Sequence, residues 1–548
     1  MTTAKYQRLG YATELSSLLF RYRLAKCLVV SSLICVLLMA VSTLLYPRKK
    51  GFGWFYFTSE PRVPDIPRNT SCVLPRERLI PKSPDGSYTP PPPDDTLFLA
   101  VDQAAGYDYN RYCERWDPEH GFPEEREYNA NGECGTWQSD YIALHEKRLQ
   151  DLERIKAGDL DGFDPQNRPE FVAYLCEEDP RSRQSRSCGG LADRMSGMIS
   201  VFFYALLTDR AYLAHWHETA PIPLETLFEK PHINWSYEPI ETKSAFDKNT
   251  ELLSYEQINT LNVKWGPLGR LLFPDGREQN FKKLWNASFL EWRSNRAFII
   301  RTFQESSIYP SMLEKVGLNK ENAFYCLTDF LFRPTFGSRQ FISAYKQLFQ
   351  MNSILSIGLQ IRTGDQDIIN PGMDDNTLEK WNYFWQCANE LRDYARKPHH
   401  RRVVYFLITD SAKLRDEFVS MNHDEEKARS ILGDSYQDIT MVVTGLPIQH
   451  IEAKTIKNKY SHNSTIDEDR EQMIAGVNSA VIENWILSFT DYRLISRQGF
   501  GKLAAFHSQS STTTISMPMF DDRENTQFCG DPDAFITFDE LSVWWSLG

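Results

Sequence analysis

The chain has 548 residues and a mass of 63.6 kDa. Its 41% hydrophobic and 24% charged residues are the balance of a globular protein, not of a disordered or fibrous one. The formal net charge of −12 is unevenly placed: residues 1–50 carry eight Lys/Arg against the single Glu14, which leaves −19 on the remainder. A body this acidic is not drawn onto a phosphate backbone, which argues against nucleic acid as a partner, and no internal repeat is visible that would indicate a solenoid.

In chain order, the first element is residues 27–46 (CLVVSSLICVLLMAVSTLLY), twenty residues without a charge. At about 1.5 Å per residue they span about 30 Å, one hydrocarbon core. The stretch exceeds the apolar part of a cleaved signal peptide and runs into Pro47-Arg48-Lys49-Lys50. It is therefore predicted to be an uncleaved membrane anchor, over a signal peptide or a buried core helix. Arg21, Arg23 and Lys26 precede it and three basic residues follow, so charge alone leaves its orientation open. The glycan-acceptor pattern N-x-[ST] occurs at Asn69, Asn234, Asn286 and Asn463, all beyond the span. Of ten cysteines, Cys27 and Cys35 lie in the anchor and eight lie beyond it. An even number at wide spacings suits disulfides in an oxidising lumen, with Cys176 and Cys188 placed to close a short loop. No C-x-x-C or Cys/His cluster suggests zinc. The expected arrangement is a cytosolic tail (1–26), an anchor (27–46) and a lumenal body.

Residues 47–97 are Pro-rich, including Pro90-Pro91-Pro92-Pro93, and read as an extended, semi-rigid spacer. The 451 residues beyond suit two domains, placed at 98–345 and 346–548. The stretch 140–156 is a charged helix with Ile142, Leu149, Leu152 and Ile155 on its apolar side; a surface helix packed on the body is favoured over a coiled-coil dimer arm. Short β-rich runs follow at 171–176, 211–216, 297–302, 354–361, 403–409, 440–444 and 493–496. Between them lie amphipathic stretches such as 195–207, 377–395 and 469–489. Near-continuous apolar strands alternating with helices predict an α/β fold on buried parallel sheet.

Four strand ends carry chemistry. After 171–176 comes Cys188-Gly189-Gly190-Leu191-Ala192-Asp193-Arg194, opening a helix. Two glycines there let backbone N–H groups approach an anion at a helix N-terminus; the alternative is a plain turn with an Asp193–Arg194 surface pair. The run Ile357-Gly358-Leu359-Gln360-Ile361-Arg362-Thr363-Gly364-Asp365 ends a buried strand in an Arg. Ligands bind outside the carboxyl ends of such strands, and the guanidinium fork suits a pyrophosphate; the alternative is an Arg362–Asp365 ion pair closing the strand. Strand 403–409 runs into Asp410-Ser411, able to accept from ribose hydroxyls or a guanine edge, or to cap the helix beginning near Ala412. Finally Ser496-Arg497-Gln498-Gly499-Phe500-Gly501-Lys502 links a strand to a helix, where Ser496, loop amides and Arg497 are candidates to cradle phosphates, or form an ordinary loop with a solvated Arg.

No G-x-x-x-x-G-K-[ST] occurs, which argues against a P-loop sulfotransferase or NTPase, and the third glycine of a dinucleotide fingerprint is missing after Gly501. Asp-x-Asp pairs of the kind that hold Mn²⁺ occur at Asp159/Asp161, Asp365/Asp367, Asp467/Asp469 and Asp531/Asp533; only Asp365/Asp367 follows a strong strand.

Together these motifs resemble the fucosyltransferase superfamily, which includes plant-type xyloglucan α-1,2-fucosyltransferases, α-1,6- and rhizobial fucosyltransferases and protein O-fucosyltransferases. Residues 189–213 (GGLADRMSGMISVFFYALLTDRAYL) resemble the segment G-L-G-[ND]-R…F-x-x-A-L-L-T-x-R of the plant-type enzymes. Residues 357–362 resemble the superfamily peptide whose Arg engages GDP-fucose, 405–411 the strand ending in Thr-Asp, and 478–506 the last shared peptide. The four lie in the family's order across about residues 170–510. Where the α-1,6 and rhizobial enzymes carry His-x-Arg-Arg, this chain has Gln360-Ile361-Arg362-Thr363, which favours the plant-type branch; where the plant-type last peptide has Ser-Thr, this chain has Gln498-Gly499.

The resemblance implies a GT-B fold of two Rossmann-like domains facing a cleft, in a single-pass type II Golgi membrane protein. It implies inverting, metal-independent transfer of fucose from GDP-fucose to a glycan acceptor, with no cofactor besides that donor substrate; a homodimer is left open. Arg362 would neutralise the departing GDP, with Asp193 or Asp365 as candidate general base. Gly189, Gly190, Arg194, Arg362, Asp410, Ser411, Ser496, Arg497, Gly499 and Phe500 would contact the donor. The competing expectations are a metal-dependent transferase of another nucleotide sugar, using Asp365/Asp367, and a non-enzymatic carbohydrate-binding protein on the same fold.

Overall fold

The structure, a computed structural model, describes residues 66–123, 132–164, 166–177, 188–217, 222–449 and 466–547, with the backbone alone at 365, 466–469 and 544–547. The chain divides into two units, 1–62 and 63–548, and both large sheets belong to the second. The predicted anchor at 27–46 and Asn463 lie outside the described residues; among those described, no helix is long and apolar enough to cross a membrane.

Near-continuous apolar runs supply most of the central strands of two sheets. In chain order the strands are β1 (Phe171–Cys176), β2 (Ala211–Trp216), β3 (Phe228–Glu229), β4 (Tyr255–Asn259), β5 (Phe289–Arg293), β6 (Arg333–Pro334), β7 (Ile354–Ile361), β8 (Arg402–Thr409), β9 (Ile439–Val442), β10 (Tyr492–Ser496) and β11 (Thr514–Met517). The first sheet has the order β2-β1-β5-β4 and the second β11-β10-β7-β8-β9, both wholly parallel. Strands β3 and β6 form a short antiparallel pair. β1 and β7 are buried along their whole length, as interior parallel strands covered on both faces must be. In the second sheet the chain proceeds from β7 to β9 on one side and returns to β10 and β11 on the other. The β7–β10 boundary is therefore the switch point, where the crevice of such sheets opens. The α/β expectation holds, and one apolar core joins the two halves, with Tyr174 and Phe202 in the same cluster as Phe341, Phe406 and Val481.

Three expectations change. The run 297–302 is not a strand: helix Ile299–Glu305 takes it, with Thr302 Oγ1 donating back to the Phe298 carbonyl at 2.8 Å. Packing overrides β-branched propensity at this site. β5 escapes a reading by apolar runs because Glu291 interrupts it; that carboxylate is 3% exposed and accepts from Tyr255 Oη at 2.5 Å and Gln257 Nε2 at 2.9 Å on β4. The Pro-rich spacer does not stay extended to residue 97. Leu79 is fully buried, its carbonyl accepts from Trp116 Nε1 at 3.0 Å, and Ser83 Oγ accepts from Gly337 N at 3.2 Å.

Helix Asp95–Gln103 then packs beside β9, where Val443 N donates to Thr96 Oγ1 at 3.1 Å. Helix Gln138–Ala157 lies on the body, in agreement with its amphipathic pattern, burying Tyr141, Leu152 and Ile155 and ending at Gly158 in the left-handed region. All eight cysteines beyond the anchor pair: Cys72–Cys113, Cys134–Cys326, Cys176–Cys188 and Cys387–Cys529. Asn69, Asn234 and Asn286 are exposed.

Candidate active site

The carboxyl ends of β7 and β8 and the loop after β10 meet the Gly190 turn of the first sheet around a cavity of about 400 Å³. Gly190, Asp193, Arg362, Asp410, Arg497, Gly499 and Phe500 line it, so four segments read separately from the sequence converge on one place.

β7 delivers Arg362, whose guanidinium Nη1 pairs with the Asp410 carboxylate at the end of neighbouring β8. Asp410 also accepts from Thr363 N at 2.6 Å, Thr363 Oγ1 at 3.0 Å and Gly364 N at 3.0 Å. Four donors occupy a carboxylate's capacity. Asp410 thus clamps the Arg362–Gly364 turn while lining the cavity. Ser411 is the cap, accepting from Leu414 N at 3.0 Å while donating to Asp374 Oδ2 at 2.6 Å, which commits it to the scaffold. Asp365 opens the short helix Asp365–Ile369; only its backbone is described, so the alternative Arg362–Asp365 pair lies outside the described side chains.

Ser496 is likewise committed. Its hydroxyl donates to the Gln360 carbonyl at 3.1 Å and accepts from Arg362 N at 3.1 Å, bolting β10 to β7. Beyond it, helix Gly499–His507 begins at the cavity with no side-chain cap on Gln498. A Cβ on Gly501 would lie 2.6 Å from Ile495 Cβ and 2.7 Å from Gln360 Oε1, so only glycine lets this helix start so close to the sheet.

At the first sheet, the Cys176–Cys188 bridge ties the turn to the end of β1. Gly189 has φ +80°, and a Cβ there would collide with the Asp193 carboxylate. Arg194 was expected at the donor; it is instead fully buried, with Nε donating to the Gly189 carbonyl at 3.0 Å and its guanidinium over the Trp216 ring. It shapes the turn from behind.

Sequence pattern misses further lining residues. Lys502, on the first turn of helix Gly499–His507, is 2% exposed and lines the cavity. Burial, then the neighbouring Arg497, pushes its ammonium down to about 8, against the pull of Asp193. Arg296 is 2% exposed, and burial lowers its guanidinium with Asp193 opposing. Glu483 projects from helix Ile466–Ser488 and accepts from Thr444 Oγ1 at 2.5 Å. Asn262 and Asn295 pair reciprocally on the first-sheet wall, N–H to Oδ1 and Nδ2 to Oδ1, each at 2.8 Å. The available signal was positional: Lys502 is three residues past Gly499, and Glu483 lies within the family-like peptide 478–506.

A second cavity of about 390 Å³ adjoins the first, sharing Arg362, Arg497 and Gln498 and walled by Ser496, Trp381, Tyr383 and Phe520. Among the described residues no cluster of three His, Cys, Asp or Glu is placed to hold a metal ion. Within the Asp-x-Asp pairs, Asp367 accepts from Asn376 Nδ2 at 2.9 Å, Asp159 pairs with Arg154, and Asp531 caps its own short turn.

No family model matches the sequence. Over 382 residues the chain is 23% identical to Fucosyltransferase 2 of Arabidopsis thaliana, covering 61% of this chain and 63% of that protein, less than two thirds of its length. Among solved structures, Arabidopsis thaliana FUT1, a mutant in complex with GDP, is similar with 15% identity and a TM-score of 0.46, over 77% of this chain and 86% of that one. Fucosyltransferase NodZ from Bradyrhizobium is similar with 15% identity and a TM-score of 0.31, over 61% and 92%.

Proposed function

Taking the chain as a member of the fucosyltransferase superfamily, as its motifs and its similarity to the Arabidopsis protein support, we propose that it is a glycosyltransferase moving fucose from GDP-fucose to a hydroxyl of a glycan acceptor. The observation that carries the reading is the cavity itself. Arg362, Arg497 and Lys502 converge there with the open N-terminus of helix Gly499–His507, a combination suited to a diphosphate.

The donor lies with its diphosphate against these groups on the second sheet, and the acceptor enters from the Asn262–Asn295 wall, in the two-domain GT-B manner. As the bond from C1 to the β-phosphate breaks, charge grows on the phosphate. Preorganised cations and amides stabilise that charge more than they stabilise the bound substrate, which is what accelerates the step. Asp410 contributes by holding Arg362, and Ser496 by holding the turn from which Arg362 projects. Attack from the face opposite GDP inverts the anomeric centre. We place the reaction in the Golgi lumen, behind a type II anchor at 27–46, on the strength of the apolar span, the glycan-acceptor sites and the paired cysteines.

The test is a thermal-shift series on the purified chain with GDP, UDP and ADP, followed by GDP-fucose turnover with and without EDTA. At 100 times Kd a nucleotide stabilises by about 2.7 kcal/mol. GDP should shift the melting temperature most, and turnover should survive chelation. Equal shifts for all three nucleotides would defeat the guanine assignment, and loss of turnover in EDTA, restored by Mn²⁺, would favour the metal-dependent alternative.

A further inference from the structure

Three carboxylates line the main cavity: Asp193, Asp410 and Glu483. Asp410 is spent on Arg362, Thr363 and Gly364. Asp193 folds over Gly189 and acts on the buried cations Lys502 and Arg296 as their counter-charge. Glu483 is differently placed. It stands on helix Ile466–Ser488 one turn beyond Ala480, which lines the same wall. Its Oε1 is held by Thr444 Oγ1 at 2.5 Å, which fixes the direction of the carboxylate.

Resting on the fucosyl-transfer reading, we propose that Glu483 is the general base that takes the proton of the attacking hydroxyl. The hydroxyl oxygen donates a lone pair to C1 of the fucosyl group, and its proton passes to Glu483 Oε2. The C1–oxygen bond breaks with its electron pair leaving on the β-phosphate of GDP. Glycoside, GDP and a protonated Glu483 result, and the carboxyl then returns its proton to solvent.

Basicity agrees with geometry. Burial pushes the Glu483 carboxyl up to about 7, against the lowering effects of Thr444 and Arg415. Arg415 belongs to helix Ala412–Ser420, and its Nη1 donates to the Leu446 carbonyl at 2.8 Å. Arg296, Arg362, Arg497 and Lys502, with Asp193 and Asp410, are the charged groups of the other walls. A base is most effective when its pKa lies near the working pH, and Glu483 meets that condition in the cavity that holds the phosphate-binding cations.

The experiment uses the full chain with GDP-fucose and water as acceptor, reading hydrolysis and, separately, the melting shift given by GDP. In the wild-type chain the hydrolysis kcat should rise tenfold per pH unit and level off near pH 7. Glu483→Gln should lower the plateau by about 10²–10⁴-fold and abolish that acidic limb, with the GDP shift unchanged. Thr444→Val, which removes the bond that favours the charged carboxylate, should move the limb to higher pH, and it decides the matter if Glu483→Gln does not fold. Unchanged kcat and limb in Glu483→Gln, an unmoved limb in Thr444→Val, or a lost GDP shift in Glu483→Gln would overturn the assignment. A wild-type chain that neither binds GDP nor consumes GDP-fucose would instead overturn the fucosyl-transfer reading, and the base with it.

Discussion

Arg362 and Asp410 close the ends of two adjacent parallel strands, the guanidinium Nη1 on the carboxylate Oδ2, with the amides of Thr363 and Gly364 gathered onto the same carboxylate. The cation offered to the cavity is therefore aimed by an anion from the next strand, and its planar fork has a set orientation before any ligand arrives.

Arg362→Ala should lower GDP-fucose turnover by about 10²–10³-fold, the scale for losing one preorganised charge-stabilising donor. Arg362→Lys should recover little, because a point charge does not reproduce the fork. Arg362→Ala should also lower the melting temperature, since Asp410 loses its charged partner; its three bonds from Thr363 and Gly364 limit the cost to about 1–3 kcal/mol. Turnover and melting measured on the same preparations check both; near-normal turnover in Arg362→Ala would refute the role.

Asp410→Asn isolates the positioning effect. It keeps the volume, removes the charge that aims Arg362 and weakens the acceptor for two backbone amides. Turnover should fall less than in Arg362→Ala, and the double variant should be no worse than Arg362→Ala alone, because the two residues act as a unit. Additive losses in that cycle would mean that Asp410 acts independently of Arg362.

Lys502 separates stability from function. Its ammonium is depressed to about 8 in the folded chain against 10.5 for an ordinary Lys. Between those values the unfolded chain binds more protons than the folded one, so this group makes stability rise from pH 8 towards 10.5 and holds it down below pH 8. Lys502→Met should therefore raise the melting temperature of the ligand-free chain at pH 7 while weakening GDP binding about 10–100-fold. In the wild type GDP affinity should decline above pH 8. Calorimetry across pH 6–10 reads both, and a variant with unchanged GDP affinity would remove Lys502 from the phosphate site.

Gly501→Ala tests the close approach of helix Gly499–His507. Its new Cβ would fall within 2.7 Å of Ile495 Cβ and Gln360 Oε1, so either the helix start or β7 must shift, at a cost of about 1–3 kcal/mol. GDP affinity should drop along with stability. A Gly501→Ala chain with wild-type melting and wild-type GDP affinity would show that the approach is not needed.

Alkylation of the unreduced, denatured chain followed by mass spectrometry should label none of the eight cysteines from Cys72 to Cys529. Cys176→Ser should cost about 2–5 kcal/mol and loosen the Gly189–Gly190 turn, seen as faster amide exchange there. Labelling of all eight thiols would refute the bridges.

Much of the fold and site was legible from local pattern. Near-continuous apolar runs such as Ile354–Ile361, broken by Ser356 and Gln360, marked the interior parallel strands because such a strand is covered on both faces. The residues just past those runs, Arg362, Asp410 and Arg497, marked the site because parallel strands present their carboxyl ends to one crevice. The pattern misled where a buried strand holds a satisfied charge, as Glu291 does in β5, and where a β-branched run is packed as helix at Ile299–Glu305.

The sequence by itself determined which residues stand at strand ends, and its even cysteine count beyond residue 46 allowed every thiol there to pair. Burial periodicity and strand-end position are local properties of the chain, and they survive whatever the fold does with the rest. Only the tertiary structure decided who partners whom. Asp410 turned to Arg362, 48 residues away, and of the two cap candidates Ser411 took the helix. Ser496 spent its hydroxyl on Gln360, 136 residues back. Glu483 and Lys502, inconspicuous on their own helices, entered the cavity. A hydrogen bond or ion pair is set by which donors and acceptors converge within about 3 Å, and that convergence is settled by how separate strands and helices pack, which neighbours in sequence do not encode.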